Sequence, residues 1–263
     1  MHTRSEKILS FLLSWSPGAP LATLCWAVAC SAFEGIRVVS ATPLLIAVIG
    51  VWVAAVYLQP APPRKQSEGN RNQRNVLSHL QHITLLGCLV WLCGWRANQL
   101  ILEFFSFPAT LFFISRFFRG RILRVPGIIM QSMALGMTCA APALYFSFLK
   151  LPMQLVFCVP VCYLGVLFCI ATWERTEIRQ GKNSHLCPVI CAGLLLAASL
   201  HHSKTAAPFE QAFFTTIAIG GACLMVAPLL YRRLSIPAAI LLNWLAVILP
   251  AVAGILLYAP ACR

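Results

Sequence analysis

The side chains best suited to chemistry are carboxylates, and they are few: all seven acidic residues are glutamates, and the chain contains no aspartate. Two of them, Glu174 and Glu177, stand three apart in the run Thr172-Trp173-Glu174-Arg175-Thr176-Glu177-Ile178-Arg179-Gln180-Gly181-Lys182-Asn183-Ser184. On a helix this spacing puts both glutamates on one side, while Arg175 and Arg179, four apart, project from another. A carboxylate pair at the mouth of a helical bundle can hold a divalent cation or orient a polar headgroup, although such an ion takes more oxygen ligands than two side chains supply. The same pattern fits a solvated helix terminus of mixed charge, closed by Gly181 as its C-cap.

Other candidates are isolated. Glu103 lies about a turn and a half into an apolar run, where it either lines a cavity or reaches the interface and pairs with Arg96. Asn98 and Asn243 are lesser polar positions within apolar runs. His79 and His82 are three apart and share a face at the entry to a span, and His201-His202 closes another span beside Lys204. Both histidine pairs read as polar anchors at helix ends. Twelve cysteines contain no C-x-x-C pair; Cys158 with Cys162, and Cys187 with Cys191, are four apart on one face, which suits close helix contacts better than metal or disulfide chemistry. There is no Ser-His-acid order, no phosphate-cradling glycine loop and no H-E-x-x-H.

The elements that carry these residues follow from composition. At 59% hydrophobic and 10% charged, with a mean hydropathy of +0.79, the 263-residue chain departs far from the balance of a water-soluble globule. A helix needs about 20 apolar residues to cross the hydrocarbon layer. Nine runs qualify, near 8–33, 38–58, 77–95, 97–115, 126–149, 151–173, 186–202, 208–231 and 235–258. The first is interrupted by Ser16-Pro17-Gly18-Ala19-Pro20, which predicts a kink or an interfacial half-helix. The expectation is an all-α polytopic bundle of about nine transmembrane helices, a single domain over 1–263, with a polar loop at 60–75 and a second cytoplasmic loop at 174–185.

Charge sets the orientation. With the N-terminus cytoplasmic, fifteen of the twenty basic residues fall on the inner side, and single basic residues (Arg37, Arg96, Lys150, Lys204, Arg263) mark each outer connection and the end. The positive-inside rule then places the N-terminus in the cytoplasm and the C-terminus outside. The net charge of +13 resides in these short loops, where it meets anionic lipid headgroups. Nucleic acid, which needs a basic soluble surface with stacking aromatics, is not expected as a partner.

The segment Glu177-Ile178-Arg179-Gln180-Gly181-Lys182-Asn183-Ser184 resembles the second acidic motif of the UbiA superfamily of intramembrane prenyltransferases, in which an acid precedes a basic residue, a glycine and a lysine. Its position after the sixth span, the nine-span arrangement with the N-terminus inside and the Pro-containing first span are similar as well. The phrase Phe168-Cys169-Ile170-Ala171-Thr172-Trp173-Glu174 looks like a branch whose sixth span ends in Trp-Glu. The resemblance covers most of the chain as topology and about a dozen residues as motif. It implies a cytoplasm-facing intramembrane cavity in which two acidic clusters and Mg²⁺ hold an isoprenyl diphosphate for transfer to an acceptor.

The family's first acidic motif has no counterpart. After the second span the chain reads Tyr57-Leu58-Gln59-Pro60-Ala61-Pro62-Pro63-Arg64-Lys65, with Glu68 the only acid nearby. Glu174 and Glu177 are the remaining catalytic candidates, and Arg64, Lys65, Arg116 and Arg119 are candidates for binding a substrate phosphate without metal. The readings that follow are a UbiA-like protein that binds or transfers a prenyl or other lipophilic group, with Mg²⁺ only if it transfers one; a non-catalytic lipid- or pigment-binding or assembly subunit with membrane-protein partners; and a small-molecule transporter.

Overall fold

A computed structural model describes residues 17–33, 48–52, 55, 124–145, 158–179, 181, 185–206, 208–231 and 233–258. Among them the chain is all helix, turn and bend, with no strand. Six helices follow in order: α1 (Gly18–Phe33), α2 (Arg124–Tyr145), α3 (Cys158–Arg179), α4 (Leu186–Ser203), α5 (Pro208–Tyr231) and α6 (Ile236–Tyr258). A short helical stretch at 48–52 adds Val51 to the core. The segments Leu186–Ser203, Glu210–Tyr231 and Ile236–Leu257 are long and apolar enough to cross a membrane.

Proline punctuates the starts. Over its described range each of these helices has a proline within its first three residues: Pro20, Pro126, Pro160, Pro188, Pro208 and Pro237. The first turn leaves its N–H groups without intrahelical partners, so a residue lacking that group costs nothing there, and its fixed φ suits the helix. The interruption at residues 16–20 is therefore a helix start: Pro17 supplies the carbonyl that Leu21 bonds at 3.1 Å, and α1 continues without a break to Phe33. Pro228 and Pro250 lie inside α5 and α6.

Four expected boundaries hold closely. The runs predicted at 186–202, 208–231 and 235–258 are α4, α5 and α6, and the one at 126–149 corresponds to α2. The run predicted at 151–173 overlaps α3 from Cys158, residues 151–157 lying outside the described residues, and the helix continues past the predicted end through the charged turn to Arg179. Residues 174–179 are thus helix and not part of a cytoplasmic loop, and only the stretch after Arg179 leads into α4. Gly181 adopts φ +64 and bonds the Ile178 carbonyl at 3.1 Å, the left-handed closure expected of a C-cap glycine. The spans near 77–95 and 97–115, most of the one near 38–58, and the loop at 60–75 lie outside the described residues.

Contacts fix the relative directions. Tyr163 near the start of α3 meets His202 near the end of α4, so these two helices are antiparallel. Along α3 and α5 the pairs Tyr163–Phe214 and Glu174–Tyr231 ascend together, so these are parallel. Thr216 lies against Gly254, and Tyr231 against Asn243, so α5 and α6 are antiparallel. Gly18 abuts Trp244, Trp26 donates to the Val247 carbonyl at 3.1 Å and Phe33 faces Gly254, so α1 runs parallel to α6. α3 packs against α2, α4, α5 and α6, and α5 against α1, α3, α4 and α6, so these two parallel helices form the centre of the described bundle.

Packing follows the rules of helices in lipid, where small residues and interhelical hydrogen bonds substitute for a hydrophobic driving force. Gly136 of α2 sits directly on the Gly165 carbonyl of α3, and a Cβ there would also lie 2.9 Å from the Cys169 nitrogen. Trp26, Phe168, Leu164, Leu167, Ile217 and Leu224 fill the interior. Several hydroxyls are satisfied within their own helices: Thr23, Ser31, Thr138, Thr172, Thr176 and Thr216 each donate to the carbonyl four residues earlier, whereas Ser199 Oγ is buried without a hydrogen-bond partner among the described residues. The outward positions of α4 are apolar, with Leu186, Ile190 and Leu194 each more than half exposed.

Candidate functional site

The directions of α3 to α6 bring four helix ends together: the last turns of α3 and α5 and the first turns of α4 and α6. The charged turn of α3 lies here and is not solvated. Glu174 has no exposed surface, and Arg175, Thr176, Glu177 and Ile178 are each no more than 7% exposed. Five consecutive buried residues occupy more than one helical turn, so every side of this helix end is covered. The reading as an open, water-facing terminus is overturned, because neighbouring chain and not solvent surrounds the charges. Arg179 beyond them is half-buried.

Glu174 meets residues far away in the chain. The Tyr231 hydroxyl lies 3.1 Å from Glu174 Oε2 and 3.4 Å from Asn243 Oδ1. Asn243 is fully buried in α6 and donates through Nδ2 to the Ala171 carbonyl of α3 at 2.7 Å, which turns its oxygen towards Tyr231. Glu174 Oε1 is buried without a hydrogen-bond partner among the described residues. The apolar run of α3 ends at Trp173, and Glu174 stands just beyond it. Burial pushes its carboxyl up to about 8, only partly offset by the Tyr231 hydroxyl.

His185 precedes α4 and packs edge-on against Tyr231, with ring centroids 5.4 Å apart. Burial presses its imidazole below the usual range, and the nearby Glu177 opposes that shift. Arg175 remains a guanidinium cation, since its intrinsic basicity keeps it charged even where burial and Arg179 both press against the charge. This end thus combines a buried acid, a buried cation, a second carboxylate, a tyrosine, an asparagine and a histidine.

The opposite end of the same helices holds a second polar contact. Tyr163 and His202 share a hydrogen bond of 2.6 Å between the hydroxyl and Nδ1, flanked by Phe214, whose ring centroid is 5.3 Å from the imidazole. His202 is therefore more than a terminal anchor, whereas His201 is exposed as an anchor should be.

Sequence reasoning located Glu174 and Glu177 and noted Asn243. Tyr231 and His185 were missed: each stands beside arginine or polar loop residues and has no local partner that would mark it. Arg64, Lys65, Arg116, Arg119, Glu103, His79, His82 and Asn98 lie outside the described residues. Cys187 and Cys191 are free thiols.

The Mg²⁺ that a UbiA-like reading implies can be tested against the donors present. Glu174 is fully buried and directs one of its two oxygens to a tyrosine hydroxyl, which leaves at most the other for a hard cation that takes about six oxygen ligands. Among the described residues no group of three or more histidine, cysteine or acidic side chains is arranged to hold a metal ion. These donors do not fit the ion. No protein-family model matches the chain, and neither a curated protein nor a solved structure matches it.

Proposed function

We propose that this chain is an integral membrane protein of nine-helix, UbiA-like architecture that binds a prenyl or other lipophilic group, with the polar head of that group at the Glu174–Arg175–Glu177 end, and that it acts by binding and not by magnesium-dependent transfer. The observation that carries this reading is the buried charged turn of α3. Ionisable groups taken out of water are costly and belong to functional positions in membrane proteins by default. Here a buried Arg175 supplies a positive charge for an anionic or strongly polar head, while the neighbouring acid is engaged by Tyr231 and does not form a metal clamp.

Helix directions support the nine-fold count. Crossings one, seven and nine of an alternating chain run the same way, and six and eight run oppositely. α1, α4 and α6 are mutually parallel and antiparallel to α3 and α5, the parity that this numbering requires. The connections at the Glu174 end carry Arg179, Lys182, Arg232 and Arg233, whereas the connection from α4 to α5 carries Lys204 alone. By the positive-inside rule the Glu174 end is cytoplasmic.

The test is native mass spectrometry of the full chain released from detergent, together with retention of labelled prenyl diphosphates and of the corresponding free alcohols. The expected result is metal-independent retention of an isoprenoid, weakened in Arg175→Gln. Magnesium-dependent release of diphosphate would restore the transferase reading, and absence of any retained lipid would remove lipid binding altogether.

A further inference from the structure

The polar contact at Tyr231 has too few protons if Glu174 is ionised. A tyrosine hydroxyl has one hydrogen to give, and two oxygens stand within reach of it: Glu174 Oε2 at 3.1 Å and Asn243 Oδ1 at 3.4 Å. Asn243 cannot relieve the shortage by turning its amide, because its Nδ2 is committed to the Ala171 carbonyl at 2.7 Å. With a carboxylate at position 174, the hydroxyl satisfies Glu174 and leaves the asparagine oxygen without a donor, or satisfies Asn243 and leaves a buried anion facing an oxygen lone pair. In either arrangement Glu174 Oε1 is a charged oxygen with no partner in a fully buried setting. Leaving such a group unsatisfied is among the costliest arrangements in a protein interior.

One added proton removes the shortage at Tyr231 and the charge at Oε1. A protonated Glu174 donates to the Tyr231 oxygen, Tyr231 donates to Asn243 Oδ1, and Asn243 donates to the Ala171 carbonyl. The chain runs one way from a carboxylic acid to a helix carbonyl, each donor meeting one acceptor, and Oε1 becomes the neutral carbonyl of an acid. We infer that Glu174, Tyr231 and Asn243 form a proton-binding site, occupied at neutral pH, whose ligand is the proton on Glu174 and whose loss gives up the hydrogen bond that ties α5 to α6. Deprotonation redirects the tyrosine hydrogen from Asn243 on α6 to Glu174 on α3, so the tie between α5 and α6 is given up while that between α5 and α3 is kept.

The charges around the site are limited. On α3 itself stand Arg175, Glu177 and Arg179; His185 leads into α4; Arg233 follows α5. Arg124 opens α2, Lys182 and Arg232 occupy the connecting segments by sequence, and α6 contributes no ionisable residue between Ile236 and Trp244. Burial and the tyrosine hydrogen bond, not an adjacent charge, govern the state of Glu174. The inference concerns the proton alone and does not depend on which lipid, if any, the bundle binds.

Infrared difference spectroscopy of the full chain in lipid nanodiscs tests it. At neutral pH the wild type is expected to show the carbonyl band of a protonated carboxylic acid, absent in Glu174→Gln and lost from the wild type as pH rises through about 8. In Tyr231→Phe, which removes the acceptor of the acid proton, the band moves to higher frequency. Glu174→Gln keeps a donor towards Tyr231 and is expected to unfold at the same temperature from neutral to alkaline pH, unlike the wild type. A neutral-pH spectrum in which Glu174→Gln removes only carboxylate bands, or an acid band that Tyr231→Phe leaves unmoved, overturns the proposal.

Discussion

Replacing Asn243 by leucine keeps the volume and removes two hydrogen bonds, one to the Ala171 carbonyl and one from Tyr231. Interhelical hydrogen bonds in membrane proteins average about 0.6 kcal/mol, so this substitution is expected to cost about 1 kcal/mol in a denaturation titration. pH acts on the same cluster with opposite signs at two positions. The Glu174 carboxyl is raised in the folded state, so the folded chain holds more protons than the unfolded one between the ordinary glutamate value of 4.5 and about 8. Its contribution is full below that window and falls as pH rises through it. The His185 imidazole is lowered, first by burial and against the opposing pull of Glu177, so its contribution is full above the ordinary value of 6.5 and falls as the solution is acidified below it. His185→Gln is expected to flatten the acid limb only, read from unfolding temperature against pH. Glu174 and Glu177 were legible because their spacing is local. Tyr231 was not, since it lies 57 residues from Glu174 and only the parallel packing of α3 and α5 joins them.

Helix starts and ends were largely readable, because prolines, glycines and charge mark them one by one. The extension of α3 past its predicted end has a physical reason: hydropathy ends the run at Trp173, but a helix stops where its backbone closes, and Gly181 closes it about two turns later. Interhelical contacts test the elements more sharply than their ends do. Gly136→Ala would place a methyl group against the Gly165 carbonyl and the Cys169 backbone, neither of which can turn aside. Overpacking of this kind costs about 1–3 kcal/mol. Gly193→Ala meets only the flexible end of Met225, 3.5 Å from the new carbon, and is expected to leave the unfolding temperature unchanged. Comparing the two variants by thermal unfolding in detergent separates backbone contact from side-chain contact, and equal losses would mean that the α2–α3 crossing is looser than described.

For the whole molecule, alternation of direction is the property on which orientation depends. Epitopes inserted at Lys204–Thr205, between α4 and α5, and at Arg233–Leu234, between α5 and α6, are expected to lie on opposite faces of the membrane. The first should be reached by antibody in intact cells and the second only after permeabilisation. Reversed accessibility would put the Glu174 cluster on the outer face and its bound proton in exchange with the exterior. Overall class was evident from composition alone, as 59% hydrophobic residues leave few other ways to fold. The pairing of polar residues at each end was not, because it arises only when α3, α4 and α5 lie side by side.

The proline in every described first turn has a bearing on how the chain enters the bilayer. An imide nitrogen asks nothing of its surroundings, so each helix mouth presents one fewer dangling donor to the headgroup layer. At the first turns of α4 and α6, Pro188 and Pro237 spare two such donors at the end of the bundle where Glu174, Tyr231 and Asn243 meet.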